Sequence, residues 1–259
     1  MPFAQLQNVR IHYEVSGPGS AYPLVLSNSL GSNFSMWDPQ MSVFTEHFHV
    51  VRYDTRGHGQ SSIPRGPYRV EELGRDVLGL LETLHLERVH FCGLSMGGST
   101  GMWLAINAPN RLNKLVLCNT AAKIGTPEIW NPRIEAVRKN GVKAISQGVI
   151  GRWLSEGFRA QSPVVAAKTL NMLESSNTEG YVANCEAIRD FDARQAIAAI
   201  RVPTLVVAGT HDVSTTAGDG RFLAETIADA RYLELDAAHL SNIEQSERFT
   251  SEVAAFLLS

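Results

Sequence analysis

The stretch "FCGLSMGGSTG" from Phe91 contains Gly93-Leu94-Ser95-Met96-Gly97, a G-x-S-x-G pattern. An apolar run, "RVHFCGL", leads into the serine, and "MGGSTGMWLAINA", which suits a helix, leads away from it. In that setting the five residues describe a sharp strand-to-helix turn that presents a hydroxyl at the end of a strand. Glycine two positions to either side removes Cβ atoms that would collide where the two backbones converge. Ser95 is thereby a candidate nucleophile. The Met96 backbone N–H, at the positive end of the following helix, is a candidate oxyanion donor. The competing reading is a glycine-rich turn with a capping serine. The strand before it and the helix after it favour the nucleophile.

A serine hydroxyl is a weak nucleophile near neutral pH and needs a base, which in turn needs an orienting acid. Around such a turn the chain order is serine, acid, histidine. "PTLVVAGTHD" ends a strand at Asp212, and "RYLELDAAHLSN" carries His239 in the loop after another. Both fall at strand C-terminal ends, the same edge as Ser95. His239 is therefore assigned as general base and acid, and Asp212 as the carboxylate that fixes its tautomer. His211 precedes the acid and reads as structural. Asp236 reads as a solvated strand end, and Asp192 is a weaker alternative acid. His58, in "DTRGHGQSS", suits a structural or substrate-lining role. His47 and His49 alternate on an expected strand with no third ligand beside them, so no metal site is expected. Cys92, Cys118 and Cys185 have no context favouring a thiolate and read as core.

The elements that must hold these groups follow from the pattern. Six runs rich in Val, Leu or aromatics begin at Pro23, Phe48, Arg88, Lys114, Pro203 and Arg231. Continuous apolar runs suit strands of a parallel sheet buried on both faces. Between them, Leu73, Val77, Leu80, Leu81 and Leu84 recur at helical spacing, as do Phe249, Val253 and Phe256 near the end. Alternating strands and helices predict an α/β sheet, mostly parallel, with the opening "AQLQNVRIHYEVSGPG" as an antiparallel strand or hairpin at one edge. The alternation stops between residues 121 and 199, where helical segments are expected around 134–139, 142–153, 164–173 and 181–189. That stretch predicts a helical cap inserted into a core formed by residues 1–120 and 200–259.

Bulk properties narrow the function. The 259 residues carry a net charge of −3, which gives no electrostatic reason to expect nucleic acid or an anionic membrane as partner. No run of ~18 apolar residues suggests a membrane span, and the opening residues do not read as a signal peptide. Three sparse cysteines suit a reducing compartment, so a cytoplasmic location is expected.

Taken together, "DTRGHGQSS", "GLSMGG", "APNRLNKLVLCNT", "PTLVVAGTHD" and "AAHLSNIE" resemble the α/β-hydrolase superfamily across the whole chain. More narrowly, "LSNSLGSNFSMW", "AAKIGTPEIWNPRIEAVRKNG", "GRWLSEGF" and "EGYVANCEAIRDFD" resemble the 3-oxoadipate enol-lactonases. The superfamily resemblance places the second oxyanion donor in the loop after the first central strand, at Leu30 or else Ser29, where Asn28-Ser29 stands in place of His-Gly. The narrower resemblance implies a cofactor-free hydrolase of aromatic catabolism. Its substrate would be a small anionic enol lactone. An anionic substrate needs a local cation. Arg133 is the first candidate among the cap arginines 133, 138, 152, 159 and 189, with Trp130 and Trp153 as walls of an apolar pocket. A carboxylesterase, a perhydrolase, a carbon–carbon bond hydrolase or a ligand-sensing receptor on the same fold are the rival functions.

Overall fold

The computed structural model describes residues 2–259. All six apolar runs form strands: β3 (Pro23–Ser27), β4 (His49–Tyr53), β5 (Val89–Leu94), β6 (Leu112–Cys118), β7 (Thr204–Gly209) and β8 (Arg231–Leu235), preceded by β1 (Phe3–Gln5) and β2 (Arg10–Ser16). They make one eight-stranded sheet in the order β1-β2-β4-β3-β5-β6-β7-β8. β1 and β2 pair antiparallel at one edge, as the opening residues predict, and every pairing from β4 to β8 is parallel.

The uninterrupted apolar character of the central strands has its reason in two cores. Side chains alternate across a strand. Leu24 and Leu26 of β3, Cys92 and Leu94 of β5, and Val116 and Cys118 of β6 enter one hydrophobic core. Val25, Phe91, Leu115 and Leu117 enter the other. The first is covered by α1 (Asp38–His47) and, at the end of the chain, α11 (Ser246–Leu258). The second is covered by α2 (Val70–Thr83), α3 (Met96–Asn107) and α9 (Ala217–Thr226). Leu73, Val77, Leu80 and Leu81 are buried on α2 as their spacing requires, with Leu84 half-buried just beyond its end. Phe249, Val253 and Phe256 are buried on α11.

Between β6 and β7 lie five helices and no strand: α4 (Pro127–Asn140), α5 (Ser146–Trp153), α6 (Glu156–Gln161), α7 (Pro163–Glu174) and α8 (Thr178–Asp190). α4 begins seven residues earlier than its apolar spacing suggests, because Pro127 occupies its first turn, where a missing N–H costs nothing. The expected helix over 142–153 is divided: a 3₁₀ turn, Val142–Ile145, leads into α5. α6 falls where the sequence reads as a turn, capped by the Ser155 side chain. α1 also departs from expectation. His47 is its last residue and His49 opens β4, so the two histidines do not alternate on one strand. α10 (Ser241–Glu244) is a single turn after the His239 loop. Among the described residues, no helix is long and apolar enough to cross a membrane.

Candidate active site

Ser95 occupies the junction of β5 and α3 with φ +58° and ψ −111°, a left-handed backbone that a side chain rarely adopts. The turn explains its glycines. A Cβ on Gly93 would come within 2.1 Å of the Gly97 carbonyl oxygen, and one on Gly97 within 2.2 Å of the Ser27 carbonyl oxygen on β3. The end of β6 and the residues after it clamp the strained residue: its N–H donates to the Cys118 carbonyl at 2.9 Å, and its carbonyl accepts from the Thr120 side-chain Oγ1 at 2.9 Å. Strain of this kind persists only where the surroundings over-determine it, and it clusters at active sites.

Asp212 follows β7 and His239 follows β8, at the same edge of the sheet as Ser95. His239 Nδ1 lies 2.7 Å from Asp212 Oδ2, and both residues are buried. The contact engages Nδ1, which leaves Nε2 for the cavity that His239 and Ser95 both line. The Asp212 carboxylate is heavily solvated by protein. Oδ1 accepts from the N–H groups of Ser214 (2.8 Å) and Thr215 (3.1 Å). Oδ2 accepts from Thr215 Oγ1 (2.8 Å) and Asn119 Nδ2 (3.1 Å) besides His239. Burial pushes this carboxyl up. The His239 charge and hydrogen bond, together with those from Thr215, outweigh it and hold the group below its ordinary value.

In the loop after β3, Ser29 and Leu30 both line the cavity, and their N–H groups differ in their partners. Ser29 N–H is directed at Met36 Sδ (3.4 Å), and Gly31 N–H donates to His58 Nε2 (2.8 Å). Leu30 N–H, between them, has no partner among the described residues, and Leu30 lines the cavity. Asn28 anchors the loop by donating to the Tyr53 carbonyl (2.7 Å) and accepting from Trp37 Nε1 (3.0 Å). His58 is buried beneath this loop, and burial pushes it down to about 4. It is not a lining residue, so of the two roles the sequence allowed it takes the structural one.

The cavity is about 480 Å³, of the size that takes a small organic molecule. Trp130, Arg133 and Trp153 all line it, and so does Arg152, which sequence reasoning left among the bystanders. Both tryptophans are also core: each is at most 6% exposed, and Trp130 Nε1 donates to the Ile124 carbonyl (2.7 Å). The Arg133 guanidinium sits 5.2 Å from the Trp130 ring centroid and donates to the Tyr181 hydroxyl. No Asp or Glu among the described residues forms an ion pair with Arg133 or Arg152. By contrast, Arg138 pairs with Glu186 (2.6 Å) and Arg189 with Asp190 (2.7 Å). Burial, and then the like charge of Arg133, lower the Arg152 pKa from its ordinary value. Two guanidiniums without a counterion facing one cavity form a site that an anion would complete.

The discarded candidates lie elsewhere. His211 pairs with Asp236 (2.7 Å) at the surface, and Asp192 pairs with Arg194 (2.6 Å). Asn119 and Thr215 were not anticipated as partners of Asp212. The signal for Asn119 was its position, immediately after β6 at the rim that carries Ser95.

Comparison with known proteins agrees with the fold. A family profile for the alpha/beta hydrolase fold matches residues 22–143. The chain is 43% identical to 3-oxoadipate enol-lactonase 2 of Acinetobacter baylyi, over 97% of this chain and 94% of that one. It is 40% identical to 3-oxoadipate enol-lactonase 1 of the same organism, over 98% and 95%. The crystal structure of the enol-lactonase from Burkholderia xenovorans LB400 superposes with a TM-score of 0.98 at 48% identity, covering all of both chains. This chain belongs to the α/β-hydrolase family, and among the family's members it resembles 3-oxoadipate enol-lactonases over nearly its whole length.

Proposed function

We propose that this protein is a serine hydrolase that opens 3-oxoadipate enol-lactone to 3-oxoadipate, with Ser95, His239 and Asp212 as its triad. The observation that carries the reading is the shared cavity. Ser95, His239 and Leu30, whose N–H has no partner among the described residues, line it together with two guanidiniums without carboxylate partners, carried by α4 and α5. That layout fits a compact ester bearing a carboxylate arm. Full-length similarity to enol-lactonases supports the identity of the ester.

In this reading His239 Nε2 takes the Ser95 proton as Oγ attacks the lactone carbonyl. The developing oxyanion sits between the N–H groups of Met96 and Leu30, each donor being worth about 2.7–4 kcal/mol of barrier. Collapse breaks the ring C–O bond and expels an enolate, a better leaving group than an alkoxide. His239 returns its proton, and the enol becomes the ketone. Water activated by His239 then attacks the acyl-enzyme and releases Ser95. Asp212 keeps the imidazole proton on Nδ1 throughout. Arg133 and Arg152 hold the substrate carboxylate while Trp130 and Trp153 exclude water around the ring. Residues 121–199 act as a cap on the core of residues 1–120 and 200–259. The setting is cytoplasmic aromatic catabolism, and the three unbridged cysteines fit a reducing compartment.

The test compares substrates. The enol lactone should be turned over with a kcat/KM far above that for a simple neutral aryl acetate. An inert lactone beside a good aryl ester would replace this reading with a general carboxylesterase.

A further inference from the structure

The Asn119 side chain grips both the triad acid and the residues on either side of the triad base. Its Nδ2 donates to Asp212 Oδ2 (3.1 Å) and to the Ala238 carbonyl (3.2 Å), and its Oδ1 accepts from Ser241 Oγ (2.6 Å). Ala238 and Ser241 flank His239 on either side. The orientation of the carboxamide is fixed by these partners. A flipped amide would set its oxygen against a carboxylate and a carbonyl, with no donor between them. The backbone of Asn119 is held as firmly: it has φ +43°, and its N–H donates to the Val207 carbonyl on β7 (2.7 Å). Asparagine tolerates that conformation better than most residues. The residue is 1% exposed, so the amide group is buried for these contacts alone. The rim leaves no slack around it, since a Cβ on Gly209 would approach Asn119 Nδ2 to 3.0 Å and the Ala238 carbonyl oxygen to 2.4 Å.

We infer that Asn119 is a positioning residue for hydrolysis: by bridging Asp212 Oδ2 to the residues on both sides of His239, it sets the register of the imidazole against Ser95. The other side-chain donor to that carboxylate, Thr215 Oγ1, also lies 3.4 Å from His239 Nδ1, but it belongs to the Asp212 loop and makes no bond to the residues on either side of His239. An error of about 1 Å in such a constellation costs on the order of a hundredfold in rate. Asn119 touches neither the cavity nor the substrate, so its effect falls on turnover and not on binding.

This inference rests on the proposed triad, and the experiment separates the two. Asn119→Asp keeps the shape and the acceptor for Ser241 but loses the donor toward Asp212 and Ala238. Its kcat should fall at least tenfold with KM within threefold of wild type, and Asn119→Ala should behave alike. Should either variant fail to fold, Ser241→Ala serves in its place. That change frees the carboxamide to rotate and should lower kcat severalfold at unchanged KM. A folded Asn119→Asp with wild-type kcat, or in its place a Ser241→Ala protein with wild-type kcat, overturns the inference. Ser95→Ala is the control: if it retains turnover, the triad reading fails instead.

Discussion

At the sheet rim the Asp212 carboxylate accepts five hydrogen bonds, whereas on the helical wall of the same cavity the Arg133 and Arg152 guanidiniums meet no carboxylate among the described residues. The carboxylate is buried and the two guanidiniums are half-buried, and charge withdrawn from water must be compensated. The rim is compensated by its own backbone and side chains, so its dipoles are aimed before any ligand arrives. Such preorganisation is the largest contribution to catalysis in many enzymes. The wall is left incomplete, and in the proposed function the ligand supplies the missing charge. The division separates turnover from selection: damage to the rim should reach kcat, and damage to the wall should reach KM.

The largest effect that could break this contrast is at Asp212. Asp212→Asn leaves the shape of the rim but favours the wrong imidazole tautomer, and kcat should fall about 10⁴-fold. Affinity for a carboxylate product analogue, measured by calorimetry, should be nearly unchanged. A comparable loss of affinity would mean that the rim also recognises the ligand. Next in size is the wall. Arg152→Gln should raise KM for the anionic lactone roughly ten- to a hundredfold, the range expected for a hydrogen bond to a charged group. Turnover of a neutral aryl acetate by that variant should stay within threefold of wild type. If both substrates suffer equally, the arginine holds the cap and not the carboxylate.

A smaller effect concerns acid. His58 supports the loop after β3 as a neutral acceptor, and burial holds its pKa near 4 in the fold, below its ordinary value of 6.5. Between those two values the unfolded chain binds the extra proton, so folding stability falls as pH drops through the window. The loss approaches roughly 3 kcal/mol at its lower end. Thermal unfolding followed from pH 7 to pH 4 should show this decline, and it should be shallower in a folded His58→Gln protein. An equal slope in that variant would assign the decline to other groups. The smallest effect is at Trp130→Phe, which keeps an aromatic wall but loses the bond to the Ile124 carbonyl. KM should change only severalfold, with kcat unmoved.

The same contrast explains what the sequence made legible. Ser95 could be read because its turn demands glycine at fixed offsets, and Asp212 and His239 because each ends an apolar run at a common edge. The central strands β3, β5 and β7 were legible because both of their faces are buried, which removes the polar residues that would interrupt them. α1 escaped notice for the opposite reason: only two of its residues, Gln40 and Phe44, are buried. α6 is six residues long and has no buried residue at all. Arg152 could not be distinguished from Arg138 or Arg189 by type or spacing. What sets it apart is the lack of a carboxylate beside it, which only the packing of the helices determines. Asn119 was hidden likewise, because a polar residue at a strand end is ordinarily solvated. Its three side-chain partners come from parts of the chain 93 to 122 residues away.

The most direct test of the central claim is the hydrolysis of enzymatically generated 3-oxoadipate enol-lactone by the wild-type protein and by Ser95→Ala, followed by the disappearance of the lactone. The account predicts efficient turnover by wild type and a loss of about 10⁴-fold or more in the variant. Turnover by Ser95→Ala within tenfold of wild type would contradict it.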